Sequence, residues 1–521
     1  MRCLFVGAMI LGAFQASASR AELRLPQAVE TISRWGLFEI SVPNTRDYAN
    51  PFIDVTLEAT FTSPAGKKLK ALGFYDGDKT WRLRFMPDSP GDWRYQAKFS
   101  DGSPGISGLF RCVSKSRFHG PLLVDRANPL WFQYADGTHA YLLAFHLWSL
   151  DAMDEQTLGR TLDFLKTQGF NAIIGPHLGP PNRLPWEKKA DGKPDFSRFN
   201  LAVWAGLDRA ARMLGNRGMV FIPFSIFGGT NGMPKIPTRD EEDLLLRYWV
   251  ARWGGFWNVT FQPTSEWEEG FKEDEIQRIG RMIRELDSGR HLVSVHSHKT
   301  ASDGIQRSDW YDYHTVQDKL IDWNPTKYTW LVDLHRKVKK PILAHECLWE
   351  GNIYQKEAGL DVGNMRKAAW VIALSGGQIN YADEVNPPRE FQRRGGPDIN
   401  YSGLGAAKKP CGLFYGCLKA LNAFMRSLDL RRMIVAPELS STGICLAKPG
   451  EEYALYAIDG GKVTLDLSGS KGSFKCRWFN PRDGKFGKAF EVGGGKTVQF
   501  SAPDGNDWAL HLKKKEIGKA K

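Results

Sequence analysis

Cysteine is scarce in this sequence, seven among 521 residues, and no two are spaced C-x-x-C. Most structural zinc sites are built on that spacing, so no zinc fold is expected. Long apolar runs are missing as well. Past the first two dozen residues none approaches the length needed to cross a bilayer. No segment repeats with a period of about 20–50 residues, which sets aside repeat architectures. No basic stretch carries interleaved aromatics, so nucleic acid is not the expected partner. The net charge of +12 does not contradict this, because Lys513 to Lys521 holds five Lys against one Glu and so supplies four of those charges. What remains is a slight lean toward an anionic polymer.

What is present is the composition of a globular chain: 42% hydrophobic, 12% aromatic and 25% charged residues. Eighteen Trp is a high number, and indole faces serve sugar-binding clefts as stacking platforms as readily as they fill cores. Met1 to Ala21 has the form of a secretory leader, with Arg2, the apolar run Cys3 to Phe14, and Ala16-Ser17-Ala18 as a cleavage site. A secreted or periplasmic protein is therefore expected. Six cysteines follow the leader; Cys411 could pair with Cys417, and Cys445 with Cys476 across one sandwich.

The remainder divides into three. Residues 22–121 alternate apolar and polar positions, as in Ile53 to Phe61, with turns at Ser63-Pro64-Ala65-Gly66, Asp76-Gly77-Asp78 and Pro90-Gly91-Asp92, which predicts an N-terminal β-sandwich. Residues 122–430 alternate buried strands with amphipathic helices. Strands are expected near 140–146, 170–175, 219–224, 257–262, 291–296, 310–315, 341–345 and 377–382. Leu158, Leu162 and Leu165 share a helix face before Gly169, and Ile276, Ile279, Ile283 and Leu286 repeat the pattern. Eight strands with eight connections predict a (β/α)8 TIM barrel. Its rival, a doubly wound sheet, would carry a glycine-rich phosphate loop after its first strand, and none is there. Residues 431–514 return to strands and predict a small C-terminal β-sandwich, followed by a basic tail at 515–521.

In such a barrel the chemistry lies where the strands end. Strand 4 delivers Glu266 at its exit, and strand 7 delivers Glu346. Two carboxylates facing each other across the mouth are what glycoside hydrolysis requires, one protonating the leaving oxygen while the other attacks the anomeric carbon or activates water. His146, His177, His296, His298 and His314 fall at or past predicted strand ends. Paired imidazoles admit a metal centre, but amidohydrolase-type barrels want that pair on strand 1, where Phe145-His146 does not supply it. Neutral imidazoles bonding sugar hydroxyls are the expected use, with no metal and no cofactor. Trp148, Trp267, Trp349 and Tyr381 complete the expected substrate-binding set, with Phe227 nearby. After strand 8 a long loop carries Arg389, Arg393 and Arg394, which could read a carboxylate or sulfate.

Trp35-Gly36-Leu37-Phe38-Glu39, Gly73-Phe74-Tyr75-Asp76-Gly77-Asp78, Arg84-Phe85-Met86-Pro87 and Gly91-Asp92-Trp93-Arg94-Tyr95 resemble the β-sandwich of unknown function that precedes bacterial glycosidase barrels. His119-Gly120-Pro121 and Phe132 to Thr138 resemble the start of an apiosidase-like (β/α)8 catalytic domain. Trp478 to Gly484 and Asp507-Trp508 are similar to a small β-domain named for collagen binding, here more in keeping with a packing partner of the barrel. The resemblance implies retaining chemistry, with Glu266 as acid/base and Glu346 as nucleophile. Two departures stand out. Ser265 precedes Glu266 where such barrels usually carry Asn, and Ala144-Phe145-His146 stands where apiosidase-like members often show Gly-Asp-Thr. The substrate is therefore not inherited from the resemblance.

The expected protein is a secreted retaining glycoside hydrolase acting on a polysaccharide or oligosaccharide. Long loops after strands 2, 3 and 8 lean toward a pocket and exo action. Its catalytic cycle calls for a raised pKa on Glu266. A non-catalytic carbohydrate-binding barrel is the alternative.

Overall fold

The computed structural model describes residues 30–178, 183–230, 233–320, 324–350, 362–383 and 414–515. The N-terminal strands form where apolar side chains alternate with charges. Along Gly91–Phe99, Trp93, Ala97 and Phe99 turn inward while Asp92, Arg94 and Lys98 face water. Seven strands pair in the order Thr31–Ser33, Ile106–Val113, Gly91–Phe99, Leu57–Thr62, Lys68–Tyr75, Thr80–Phe85 and Phe38–Pro43. They enclose a core of Phe38, Phe61, Phe85, Trp93 and Phe110, with Phe61 stacked on Phe85 at 4.0 Å. The strand expected from Ile53 begins later, at Leu57. Ile53 and Asp54 donate their backbone N–H groups to Asn50 O, so Pro51 to Asp54 close a turn and leave Ile53 about half exposed.

The central segment is a TIM barrel flanked by the two β-sandwiches. Strands 2, 1, 8 and 7 (Ala172–Ile174, Leu143–His146, Gly377–Asp383, Ile342–Glu350) form a parallel run, with strand 3 (Val220–Ile222) on one side and strand 6 (His314–Gln317) on the other. Single bridges, Phe221 to Val259 and Phe261 to Val293, carry the ring through strands 4 and 5. The first helix, Glu155–Thr167, starts on Asp154, whose side chain accepts from Thr157 N–H, and buries Leu158, Leu162 and Leu165 completely. Gly169, at φ +96°, ends it in a conformation other side chains resist. Helix Glu273–Leu286 buries Ile276, Ile279 and Ile283.

Strand 6 corrects the sequence reading. Residues expected in its body, Trp310 to Tyr313, precede the strand and pack as bulky aromatics, so pairing starts only at His314. The C-terminal sheet runs Ile434–Val435, Cys445–Lys448, Glu452–Ala457, Trp508–Lys514, Ser473–Asn480 and Lys485–Phe486. Cys445 and Cys476 both remain free, because two strands lie between theirs. Cys417 is also free, and Cys411 lies outside the described residues.

Both sandwiches are fastened to the barrel by buried polar contacts. On the N-terminal side, Asp208 of the barrel accepts from Arg84 at 2.9 Å and from Arg252 at 2.5 Å, Arg252 reaches Asp76 at 2.9 Å, and Arg212 reaches Glu39 at 2.5 Å. The two guanidiniums hold the Asp208 carboxyl below its usual range despite its burial. On the C-terminal side Arg366 pairs with Asp507, Tyr456 donates to the same carboxylate at 2.8 Å, and Trp370 stacks on Tyr456. Deleting the Asp208 carboxylate removes the one anion that both buried guanidiniums share and leaves Arg84 only Glu39 and Arg252 only Asp76, so Asp208→Ala is expected to cost about 3 kcal/mol in chemical denaturation. A loss under about 1 kcal/mol would show that the network does not carry the docking.

Candidate active site

Glu266 follows strand 4 in a left-handed conformation, φ 41° and ψ 56°. A β-carbon is disfavoured there, and the surroundings must hold it. Thr230 Oγ1 bonds Thr264 Oγ1 at 2.9 Å and Ser265 Oγ at 3.2 Å. The Glu266 N–H donates to His296 Nδ1 at 3.3 Å, Trp267 N–H to His296 O, and Trp267 Nε1 to Ser297 Oγ at 2.9 Å. Thus the turn is clamped to strands 3 and 5. The carboxylate itself accepts from Gln317 Nε2 at 2.7 Å, and His298 Nδ1 lies 3.8 Å from the same oxygen.

Glu346 reaches the mouth by a different device. Strand 7 is buried along its whole length, and its register slips against strand 8 between Ala344 and Leu348. A bulge of this kind re-aims side chains. Here it lets two consecutive residues face inward. The His345 ring packs on His296 at 4.3 Å and on Phe224 at 5.4 Å, while the Glu346 carboxylate lies 3.5 Å from Lys319 Nζ. Burial pushes the Glu346 carboxyl up to about 7; the Lys319 ammonium pulls it down and the Glu266 charge pushes it further up. The raised carboxyl thus stands on strand 7, whereas the sequence reading asked for one on strand 4.

Beneath the pair lies a floor of imidazoles. His146 stacks on Trp148 at 4.3 Å and faces Phe224 and His345. Burial holds His146 and His296 well below the usual imidazole range, and His345 at about 3, so all three are neutral. The ring nitrogens of His146 and His345, and the indole N–H groups of Trp148 and Trp349, make no hydrogen bond among the described residues. Trp349 stands 5.5 Å from Trp148 and 5.6 Å from Lys319 Nζ, and His177 lies edge-on to Trp148 at 5.0 Å.

The structure therefore brings together Glu266, Glu346, His146, Trp148, His177, Trp349 and, at the exposed rim, His298. Three expected residues lie elsewhere. His314 opens strand 6 instead of ending it, so it stands at the far end of the barrel with Nε2 at 3.1 Å from Val338 O. Tyr381 faces outward, packed on Phe145, Phe414 and Tyr415 with its hydroxyl on Glu350, because its neighbours on strand 8 take the inward positions. Trp267 is buried in the main core with its N–H spent on Ser297, so it supports the Glu266 turn and offers no stacking face. Arg389 lies outside the described residues. Sequence reasoning missed Gln317, Lys319 and His345. Placing strand 6 a few residues later would have exposed the first two, and strict alternation along strand 7 hid the third.

His296, His345 and Glu346 bring donor atoms within 4.8 Å of one another, as do Glu266, Glu269 and His298. The first group has the spacing to admit a cation, but Lys319 already places a positive charge on Glu346, and a dication would meet it at close range. We assign no metal to either group.

Comparison with known proteins follows the same three segments. Residues 31–100 match the model described as “Domain of unknown function (DUF5060)”, residues 127–381 “Apiosidase-like, catalytic domain”, and residues 431–513 “Putative collagen-binding domain of a collagenase”. No protein of curated function matches the chain. Among solved structures, a “putative glycoside hydrolase” from Bacteroides vulgatus ATCC 8482 superposes with a TM-score of 0.74 at 21% identity, covering 93% of this chain and 100% of its own. A second glycoside hydrolase gives 0.63 at 16% identity, covering 77% and 99%. A glycoside hydrolase family 5 protein from Bacteroides vulgatus ATCC 8482 gives 0.61 at 15%, covering 78% and 97%. At such identities the likeness establishes the fold.

The raised carboxyl has a measurable cost. Glu346 ionises near its ordinary value when unfolded but only near 7 when folded, so stability falls as pH rises from about 4.5 to about 7 and stays reduced above. Glu346→Gln is expected to be more stable than wild type at pH 8, by about 3 kcal/mol, and the advantage should vanish below about pH 4.5. Thermal denaturation across that range checks it; a pH-independent difference would contradict the burial argument.

Proposed function

We propose that the chain is a glycoside hydrolase, because residues 127–381 match an apiosidase-like catalytic domain. On that premise we propose that it hydrolyses a polysaccharide or oligosaccharide with retention, using Glu346 as nucleophile and Glu266 as acid and base. The observation that best supports this reading is the pair itself. Two enclosed carboxyls, Glu266 just past strand 4 and Glu346 at the bulge in strand 7, stand near enough for one charge to act on the other. Two carboxyls that repel one another are served by one proton, and the cycle needs that proton on Glu266.

In the first step a Glu346 oxygen attacks the anomeric carbon, the glycosidic C–O bond breaks, and the Glu266 proton passes to the leaving oxygen. In the second, Glu266 takes a proton from water while that water displaces Glu346 from the sugar, which restores both groups. Gln317 orients Glu266 throughout. Trp148 and Trp349 offer ring faces and unspent N–H groups to a sugar, and the neutral imidazole of His146 and the ring of His177 offer further polar contacts.

Exo action is our reading of the segment after strand 2, where Arg183 donates to Trp148 O and pairs with Asp151 before the chain enters the hairpin Trp186–Lys188 and Pro194–Phe199. The leader-like Met1 to Ala21 supports export.

A panel of bacterial, plant and algal glycans tests the chemistry. Wild type is expected to release reducing sugar, Glu346→Gln to release none, and Glu266→Gln to lose about 10²–10⁴-fold on substrates with poor leaving groups. Full activity in Glu346→Gln would overturn the assignment, and tight binding without release would favour a carbohydrate-binding barrel. The pH profile separates the two roles. As nucleophile Glu346 must be ionised, so kcat/KM climbs as pH rises through about 7. If Glu346 were the proton donor, activity would instead fall above about 7.

A further inference from the structure

Strand 6 ends at Gln317, and within three residues the chain touches both carboxyls. Gln317 Nε2 donates to Glu266 Oε1 at 2.7 Å, and Lys319 Nζ lies 3.5 Å from Glu346 Oε2. One side chain is a neutral amide and the other a cation. The amide can orient a carboxyl in either protonation state, whereas the ammonium favours the ionised form alone. We propose that Lys319 is a positioning residue for the nucleophile: its ammonium fixes the Glu346 carboxylate and favours its charged form, while the neutral Gln317 amide orients Glu266. This rests on the assignment of Glu346 as nucleophile.

The surroundings of Glu346 give Lys319 this task. Around the carboxyl stand Lys319 after strand 6, Glu266 and Glu269 after strand 4, His296 on strand 5, and His345 on its own strand. The imidazoles are neutral, and the two glutamates oppose its charge. Among these groups Lys319 alone favours ionisation. Its side chain is about one-fifth exposed and its Nζ lies 5.6 Å from the Trp349 ring, so the ammonium is confined between an indole and the carboxylate. An ammonium so engaged has little charge left for an anionic substrate, which argues against a role in reading a uronate or sulfate.

Thermal stability between pH 5 and 9 tests the pairing, in Lys319→Met, Lys319→Arg, Glu346→Gln and the double variant Lys319→Met/Glu346→Gln. Without the ammonium a charged Glu346 is harder to bury. Lys319→Met is therefore expected to lose melting temperature relative to wild type progressively as pH rises, by about 2 °C or more across the range. Lys319→Arg should restore the wild-type profile. In the Glu346→Gln background, Lys319→Met should have the same effect at every pH. A pH-independent loss in Lys319→Met, or a pH-dependent one that persists without the Glu346 charge, would overturn the proposal. The measurement needs no substrate, so a silent glycan panel leaves it standing or falling on its own.

Discussion

A carboxyl group enclosed within a barrel must find a positive partner or give up its charge, and the surroundings of Glu346 are arranged around that requirement. Glu346 is brought inward by a slip in strand 7, is set over neutral imidazoles that cannot solvate an anion well, and meets one ammonium from the neighbouring strand. Glu266 is presented from the opposite side by a backbone conformation that glutamate does not choose for itself. Each carboxyl is costly to hold, and each is held by contacts from at least two other strands. Strain and desolvation of this kind gather at working sites, because a relaxed, hydrated carboxylate would be a poorer acid and a poorer nucleophile.

Much of this was legible beforehand, and what escaped has physical reasons. Glu266 and Glu346 stood out because each follows a hydrophobic run that ends in polar residues, which is how a barrel strand meets solvent. The fold could be read from the spacing of such runs and from helix faces such as Leu158, Leu162 and Leu165, where one side is buried and the period shows. Inside the barrel that signal disappears. Every residue of strand 7 is buried, so nothing in its pattern separates inward from outward or marks the extra residue of a bulge. For the same reason Tyr381 passed for a mouth residue, though it packs against the helices. Strand 6 is short, and the aromatics before it have the composition of a strand without its pairing, which displaced His314 by the length of the barrel and left Gln317 and Lys319 unread.

The three sheets also divide the labour differently from their order along the chain. The C-terminal domain grips the barrel with Arg366, Asp507 and the Trp370–Tyr456 stack on the helix between strands 7 and 8, and so braces the connection behind strand 7. The N-terminal sandwich grips the helices that follow strands 2 and 3, through Asp208 and Arg252, and its Asn50 also bonds Ser197 in the hairpin after strand 2.

That N-terminal grip bears on how such a chain can be taken apart or recombined. Arg252 is almost wholly enclosed, and its partners Asp76 and Asp208 come from different domains, so the charges of each balance only in the other's presence. The barrel is not a portable cassette. Swapping its sandwich for that of a distant relative, or trimming the chain to the catalytic segment for expression, would open an ionic seam and an aromatic floor to water at once. Gene fusions that preserve this fold must carry the first two domains as a single inheritable unit, with new partners added only beyond them.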